Sequence, residues 1–360
     1  MFVVMAPDAG EAEILGVKSA ILGEGLTPYD HVSDGRTVIA VIGELGGGRK
    51  PALAERLGVL AKVDRVTPIN RPFKLTSREF HPENTVIRIL DAAIGDGSLT
   101  MMAGPCSVES RDQLFETADA VKDAGATILR GGAFKPRTSP YSFQGLGVEA
   151  LRYLAEARER TGLPVITEVM EPNQVDIVAE YADILQIGTR NMQNYSLLTA
   201  VGRVARPVML KRGYGATVEE WLMAAEYIVS SGNPNVILCE RGIRTFETYT
   251  RNTMDLAAVP LVHQLSHLPV IVDPSHATGK RSLVAPLAIG GVAVGADGVM
   301  VEVHPDPDSA LSDAEQQLTL DQFRSMMAEL IAVHEHVRAR YAEPIPMEPA
   351  GVGAGALSKH

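Results

Sequence analysis

Cys106, His276 and Glu302 offer a thiolate, an imidazole and a carboxylate, all ligands for a transition metal. They lie far apart in the chain, so their spacing carries no metal-binding signature. A lone cysteine is ordinarily an inert buried thiol. Cys106 departs from that expectation because it follows Gly104-Pro105 at the end of an apolar run, as His276 and Glu302 also follow such runs. A fourth ligand would be His304, Asp306, Asp308 or Asp313, and the local sequence leaves all four open. Cys239 has a strand-like neighbourhood and no obvious partner, and reads as a core thiol.

Arg130, Lys135, Arg137, Arg190, Lys211 and Arg241 form a second set. In a chain of net charge -11, cations gathered in one place need a reason. Like charges repel, and desolvation adds to the cost. An anionic ligand relieves both, most simply phosphate or carboxylate gripped by arginine. So many cations call for more than one anionic group, hence two phosphorylated substrates. The alternative is that several pair with Glu168, Glu240 and Asp273.

These residues share one mouth only if the chain builds the right scaffold. From residue 101 onward, short apolar runs alternate with helical segments. The runs are 101–103, 127–129, 165–167, 184–186, 208–210, 236–238, 270–272 and 299–301. Helical periodicity follows them, as in Leu114 to Val121, Leu151 to Thr161, Leu222 to Ile228 and Phe323 to Val337. Eight β-α units make an α/β fold of the TIM (β/α)8 barrel type. A doubly wound open sheet is the lesser alternative, because no glycine-rich fingerprint follows the first strand. In a TIM barrel the active site lies at the C-terminal ends of the strands. All eight run ends are polar here, and together they supply the metal ligands and cations just named.

Residues 1–70 read as β-α-β-β-α-β, a small α+β ferredoxin-like domain. Strands are expected at Phe2 to Met5, Thr27 to Val32, Thr37 to Ile42 and Val63 to Ile69. Helices are expected at Glu11 to Leu22 and Pro51 to Leu60. The domain holds no catalytic constellation, and His31 and Ser33 are its one polar pair of interest. Residues 71–84 read as a linker and 85–343 as the barrel domain. The barrel domain opens on a hairpin whose turn is expected at Gly95-Asp96-Gly97. The tail, 344–360, is rich in Gly, Ala and Pro and is expected to fray.

At 360 residues and 46% hydrophobic, the chain can bury a sizeable core, and general disorder is excluded. No apolar run reaches the ~20 residues of a membrane span. Met1 to Ala6 is too short and uncharged for a signal peptide. Two cysteines make no disulfide scaffold, so a reducing cytoplasm is the expected location. An acidic chain without a basic cluster argues against nucleic acid as a partner.

Several segments resemble the 3-deoxy-D-arabino-heptulosonate 7-phosphate (DAHP) synthase family. They are 103–109 (AGPCSVE), 129–138 (LRGGAFKPRT) and 273–276 (DPSH), and the likeness extends over almost the whole barrel. The first 70 residues resemble the ferredoxin-like regulatory module of its Iβ branch. The resemblance implies condensation of phosphoenolpyruvate with erythrose 4-phosphate, the first step of the shikimate pathway. It also implies one divalent metal ion (Mn, Fe, Co, Zn or Cu) held by Cys106, His276, Glu302 and Asp313. Arg130, Lys135, Arg190, Lys211 and Arg241 match its phosphoenolpyruvate site, and Pro136, Arg137 and Thr138 its aldose phosphate loop. Lys135 is the expected proton donor, its pKa lowered by surrounding cations. The group that activates water stays open between Glu168 and the metal. His31 and Ser33 match positions that meet an aromatic amino acid inhibitor, tyrosine or phenylalanine. A homotetramer is implied as well. The nearest alternative is the sister 3-deoxy-D-manno-octulosonate 8-phosphate synthase, which uses arabinose 5-phosphate. A non-catalytic sensor on the same barrel is the remaining one.

Overall fold

The computed structural model describes residues 1–33, 35–44, 48–68, 71–135 and 141–338. Two compact units divide the chain, Met1–Glu83 and Asn84–His360.

The first unit runs β1 (Phe2–Met5), α1 (Glu11–Gly23), β2 (Thr27–Ser33), β3 (Arg36–Ile42), α2 (Arg49–Gly58) and β4 (Val63–Thr67). The strands form one antiparallel sheet in the order β2-β3-β1-β4, the ferredoxin-like arrangement. Glu11 and Glu13 in the first turn of α1 complement its dipole. Val3, Met5, Ile39 and Val41 of the sheet bury themselves against Val17, Ile21, Leu53 and Leu57 of the helices. Residues 71–83 are more than a tether. Phe80 stacks on Phe2, with ring centroids 5.5 Å apart, and His81 stacks on His31 at 3.8 Å.

The second unit opens with a hairpin of β5 (Ile87–Ile89) and β6 (Ala92–Ile94). The turn expected at Gly95-Asp96-Gly97 lies instead at Leu90-Asp91, where Leu90 takes φ 50°. Gly95 and Gly97 carry the chain onward at φ 88° and 86°. Their glycines marked a bend, but not the one between the paired strands.

The barrel strands are β7 (Thr100–Gly104), β8 (Ile128–Arg130), β9 (Val165–Glu168), β10 (Ile184–Ile187), β11 (Val208–Lys211), β12 (Val236–Glu240), β13 (Val270–Val272) and β14 (Gly298–Glu302). Each coincides with one apolar run to within a residue or two at its ends. Sequence neighbours pair in parallel and β14 pairs back onto β7, which closes the barrel. Around it lie α3 (Arg111–Asp123), α4 (Val148–Thr161), α5 (Val175–Tyr181), α6 (Tyr195–Val201), α7 (Val218–Ser230), α8 (Ala258–Leu265), α9 (Pro274–Thr278), α10 (Arg281–Ala293) and α11 (Leu320–Val337). Local chemistry starts several of them. Ser110 caps α3, while Thr217 with Glu220 and Thr319 with Gln322 form capping boxes on α7 and α11.

The eight barrel strands contribute Met102, Ile128, Ile166, Ile184, Met209, Ile237, Ile271 and Met300 to one buried cluster. Ile128 and Ile184 are the first residues of their strands, so the cluster reaches the N-terminal end. Ile87, Ile89 and Ile94 of the hairpin join it and cover that end. Cys239 belongs to the same buried cluster, in keeping with its reading as a core thiol. No helix among the described residues is long and apolar enough to cross a membrane.

Candidate active site

Glu302 pairs in register with Gly104 at the C-terminal ends of β14 and β7. Gly104 has φ 151°, and a Cβ there would meet the carbonyl oxygen of Arg130 at 2.0 Å. Only glycine allows that approach, which delivers the fully buried Cys106 two residues later. The Cys106 Sγ donates to Asp313 Oδ2 at 3.2 Å. Donor atoms of Cys106, Glu302 and Asp313 lie within 4.8 Å of one another. His276, on α9, reaches the group through Nε2, 3.3 Å from Glu302 Oε1. Its Nδ1 donates to Asp273 Oδ2 at 2.7 Å. The structure thus brings three of the expected ligands into one group, with His276 adjoining it at Glu302. A thiol, an imidazole and two carboxylates suit a divalent transition ion.

The electrostatics agree with that chemistry. Burial, reinforced by Glu302, pushes the Cys106 thiol up to about 12. Burial would also raise Glu302, but His276, Arg130 and Lys135 outweigh it and hold the carboxyl well below its ordinary range. Burial lowers His276 despite Asp273 and Glu302. A neutral imidazole with its Nδ1 proton on Asp273 turns the Nε2 lone pair toward the other donors.

The cations divide into paired and unpaired. Arg130 donates to Glu302 Oε1 at 2.6 Å and to the Cys106 carbonyl at 3.2 Å. Lys211 donates to Asp273 Oδ2 at 2.5 Å. Arg212 bridges Glu240 at 3.0 Å and Asp255 at 2.8 Å. Carboxylate pairing therefore accounts for these three. Arg241 differs. It is 3% exposed, and its Nε and Nη1 have no hydrogen-bond partner. Its guanidinium lies 4.9 Å from the Tyr214 ring centroid, with Arg244 at 4.7 Å and Arg190 at 6.0 Å from the same ring. Burial lowers its pKa, though Asp273 and Tyr214 oppose this. A cavity of about 240 Å³ opens here, lined in part by Lys135, Glu168, Arg190, Lys211, Arg241 and His276. Arg130 is not part of that lining; its guanidinium props Glu302 from behind. Pro136, Arg137 and Thr138 lie outside the described residues.

Lys135 corrects one expectation. Burial lowers its pKa, but the interactions with Cys106 and the Glu302 carboxylate outweigh burial, and the net shift is upward. Its Nζ lies 3.0 Å from Cys106 Sγ and 3.0 Å from the Cys106 carbonyl. The neighbours that dominate, Cys106 after β7 and Glu302 on β14, are far from Lys135 in sequence and are not apparent in the local run of cations.

Three residues of the site were not singled out for these roles from sequence. Tyr214 carries the arginines; an aromatic residue just beyond a cationic strand end is the signal that marks it. Asp273 orients His276 as well as pairing with Lys211. Arg251 lines the cavity, with its Nη2 3.8 Å from Asp313 Oδ1. Glu168 accepts from Gln186 at 3.2 Å and occupies the space a Cβ on Gly188 would need. In the first unit, Ser33 Oγ donates to the Glu83 carboxylate and His31 stacks on His81, so His31 and Ser33 do share one polar cluster.

The DAHP synthetase I family pattern matches residues 74–339. A phospho-2-dehydro-3-deoxyheptonate aldolase of Thermotoga maritima is 50% identical over 332 residues, 92% of this chain and 96% of the relative. The chain belongs to the DAHP synthetase I family. It is an enzyme, a transferase of the DAHP synthase type. The crystal structure of Thermotoga maritima DAHP synthase superposes with a TM-score of 0.74 at 48% identity, covering 94% of this chain and 98% of that one. A truncated form of the Thermotoga enzyme gives a TM-score of 0.70 at 50% identity, over 74% of this chain and 98% of its own. A 2-dehydro-3-deoxyphosphooctonate aldolase of Syntrophobacter fumaroxidans is 32% identical over 271 residues, 70% of this chain and 93% of the relative. The octonate enzymes are thus more distant than the DAHP synthase.

Proposed function

We propose that the chain condenses phosphoenolpyruvate with erythrose 4-phosphate in a metal-dependent reaction, releasing phosphate. The observation that carries this reading is Arg241, a buried guanidinium with two unpartnered nitrogens at a cavity beside four metal-type donors. A buried unpaired cation is costly unless an anion joins it.

Arg241, Lys211 and Arg190 hold the carboxylate and phosphate of phosphoenolpyruvate. Arg130 keeps Glu302 in place. Pro136, Arg137 and Thr138 are assigned to the aldose phosphate by resemblance. C3 of phosphoenolpyruvate attacks the aldehyde carbon, forming the new C–C bond. Lys135, held protonated, donates to the alkoxide that develops on the aldehyde oxygen. Water adds at C2, and Glu168 at the cavity wall accepts its proton. The C2–O bond then breaks and phosphate leaves against the arginines. A divalent ion held by Cys106, His276, Glu302 and Asp313 supplies Lewis acidity at the aldehyde oxygen.

The N-terminal unit is assigned a regulatory role, with an aromatic amino acid at His31 and Ser33. Deleting residues 1–70 should leave turnover and abolish inhibition by tyrosine or phenylalanine; inhibition that persists refutes the assignment. A tetramer rests on the resemblance, and sedimentation tests it; a cytoplasmic location rests on the two cysteines that make no disulfide scaffold.

Phosphate release from phosphoenolpyruvate is the deciding assay, run with Mn and then with EDTA. Turnover with erythrose 4-phosphate alone supports the reading. Turnover with arabinose 5-phosphate moves the chain to the sister reaction, and tight phosphoenolpyruvate binding without turnover makes it a sensor. Cys106→Ala should lose activity and metal while keeping the fold.

A further inference from the structure

Outside the barrel, two histidines and a glutamate converge in the first unit. Glu83 Oε2 lies 3.5 Å from His31 Nε2 and 3.6 Å from His81 Nδ1. The two imidazoles stack with centroids 3.8 Å apart and planes 21° from parallel. One ligand atom from each of the three residues lies within 4.8 Å of the others. Neighbouring ligands on a tetrahedral ion with bonds of about 2.0–2.1 Å stand roughly 3.3–3.4 Å apart. The two separations are close to that; because the rings stack nearly parallel, one imidazole must turn out of the stack for both nitrogen lone pairs to reach one ion.

Two further features favour a ligand over a plain ion pair. Ser33 Oγ donates to Glu83 Oε1, while the ion-pair contacts to the imidazoles are made by Oε2. Partners of this kind fix the orientation of ligating carboxylates. His31 Nε2 is buried and has no hydrogen-bond partner. A buried nitrogen left unsatisfied is uncommon and calls for an explanation. His81 Nδ1 contacts the Glu83 carbonyl at 2.8 Å, so ligation exchanges that contact for a metal bond. The cluster is half open, with Glu83 46% exposed at its side chain, which gives an ion a path in.

We propose that His31, His81 and Glu83 form a second metal site, for a zinc-class divalent ion, in the N-terminal unit. Two imidazoles and one carboxylate suit such ions, and three protein ligands leave one position for water or a small molecule. The site is independent of the reaction assigned to the barrel but shares His31 and Ser33 with the regulatory role assigned above, so a bound ion would occupy part of the effector position. It also lacks sulfur, so cobalt distinguishes the two: a thiolate site gives an intense near-ultraviolet charge-transfer band and this one does not.

The test uses the untagged full-length chain, stripped of metal and titrated with Zn²⁺ or Co²⁺, with bound ion counted per chain. Wild type should bind two ions. Cys106→Ser should retain one, without the thiolate band. His81→Ala should retain one, with it. Glu83→Gln, nearly isosteric, should behave like His81→Ala and covers the case in which the alanine variant unfolds; circular dichroism monitors both. A wild-type chain that binds one ion overturns the proposal. So does a Cys106→Ser chain that binds none, or a pair of His81→Ala and Glu83→Gln variants that still bind two.

Discussion

Asp273 Oδ2 accepts the Nδ1 proton of His276 at 2.7 Å. The same oxygen accepts from Lys211 at 2.5 Å, so one carboxylate ties the expected metal ligand to the expected substrate cation. Its pKa is held well below the ordinary range: burial would raise it, but His276 and Lys211 outweigh burial. Asp273→Asn keeps the shape and removes the charge. Metal affinity should fall about 10–100-fold, the usual cost of losing such a partner. The half-saturating Mn concentration for activity measures it. Excess Mn should restore part of the turnover, and an unchanged half-saturation point would show that Asp273 does not orient His276.

Arg241→Ala should lower kcat/KM for phosphoenolpyruvate by about 10–150-fold, from a lost charged hydrogen bond of about 1.5–3 kcal/mol. Arg241→Lys keeps the charge but not the planar fork or the stacking on Tyr214, so it should recover little. Steady-state kinetics at varied phosphoenolpyruvate decide this. Tyr214→Phe keeps the ring face and should stay close to wild type.

Gly104→Ala should disrupt the site from its backbone. The new Cβ would meet the Arg130 carbonyl at 2.0 Å. Backbone strain alone costs on the order of 1–3 kcal/mol. Both the melting temperature and the bound metal should drop, the latter because Cys106 moves. Retained metal with a lowered melting temperature would separate the two effects.

Burial, and next His31, lowers the pKa of His81 from its ordinary value. In the unfolded chain the group titrates near 6.5. Below that pH the unfolded state binds the proton more readily than the fold does. Stability should therefore be constant in this term above about pH 7 and fall as pH drops through the mid-sixes toward the lowered folded value. Melting of the metal-stripped chain at pH 7.5 and 5.5 tests this, with His81→Gln expected to show the smaller loss on acidification.

The eight barrel strands were legible because each is buried on both sides and so reads as a short apolar run. The strand ends were legible because polarity returns there, even though Arg130, Lys211, Glu240 and Glu302 stay buried. Cys106, His276 and Glu302 were legible as residue types following those ends, whereas Asp313, 207 residues from Cys106, was indicated only by the family resemblance. Pairing was not. Arg130 and Glu302 meet across 172 residues, and no local pattern announces that Glu302 neutralises Arg130 and helps to keep Lys135 charged. The hairpin turn at Leu90-Asp91 was missed because leucine in the left-handed region carries no turn signal, while the glycines nearby carry a strong one.

The isoleucines of β5 and β6 have an electrostatic consequence. Ile87, Ile89 and Ile94 are buried in the same cluster as the interior residues of the barrel strands, so the hairpin seals the floor on which the polar mouth rests. A dry floor keeps the local dielectric low and strengthens the charge interactions above it. Ile94→Asp would wet that floor and should weaken the fold and the mouth together.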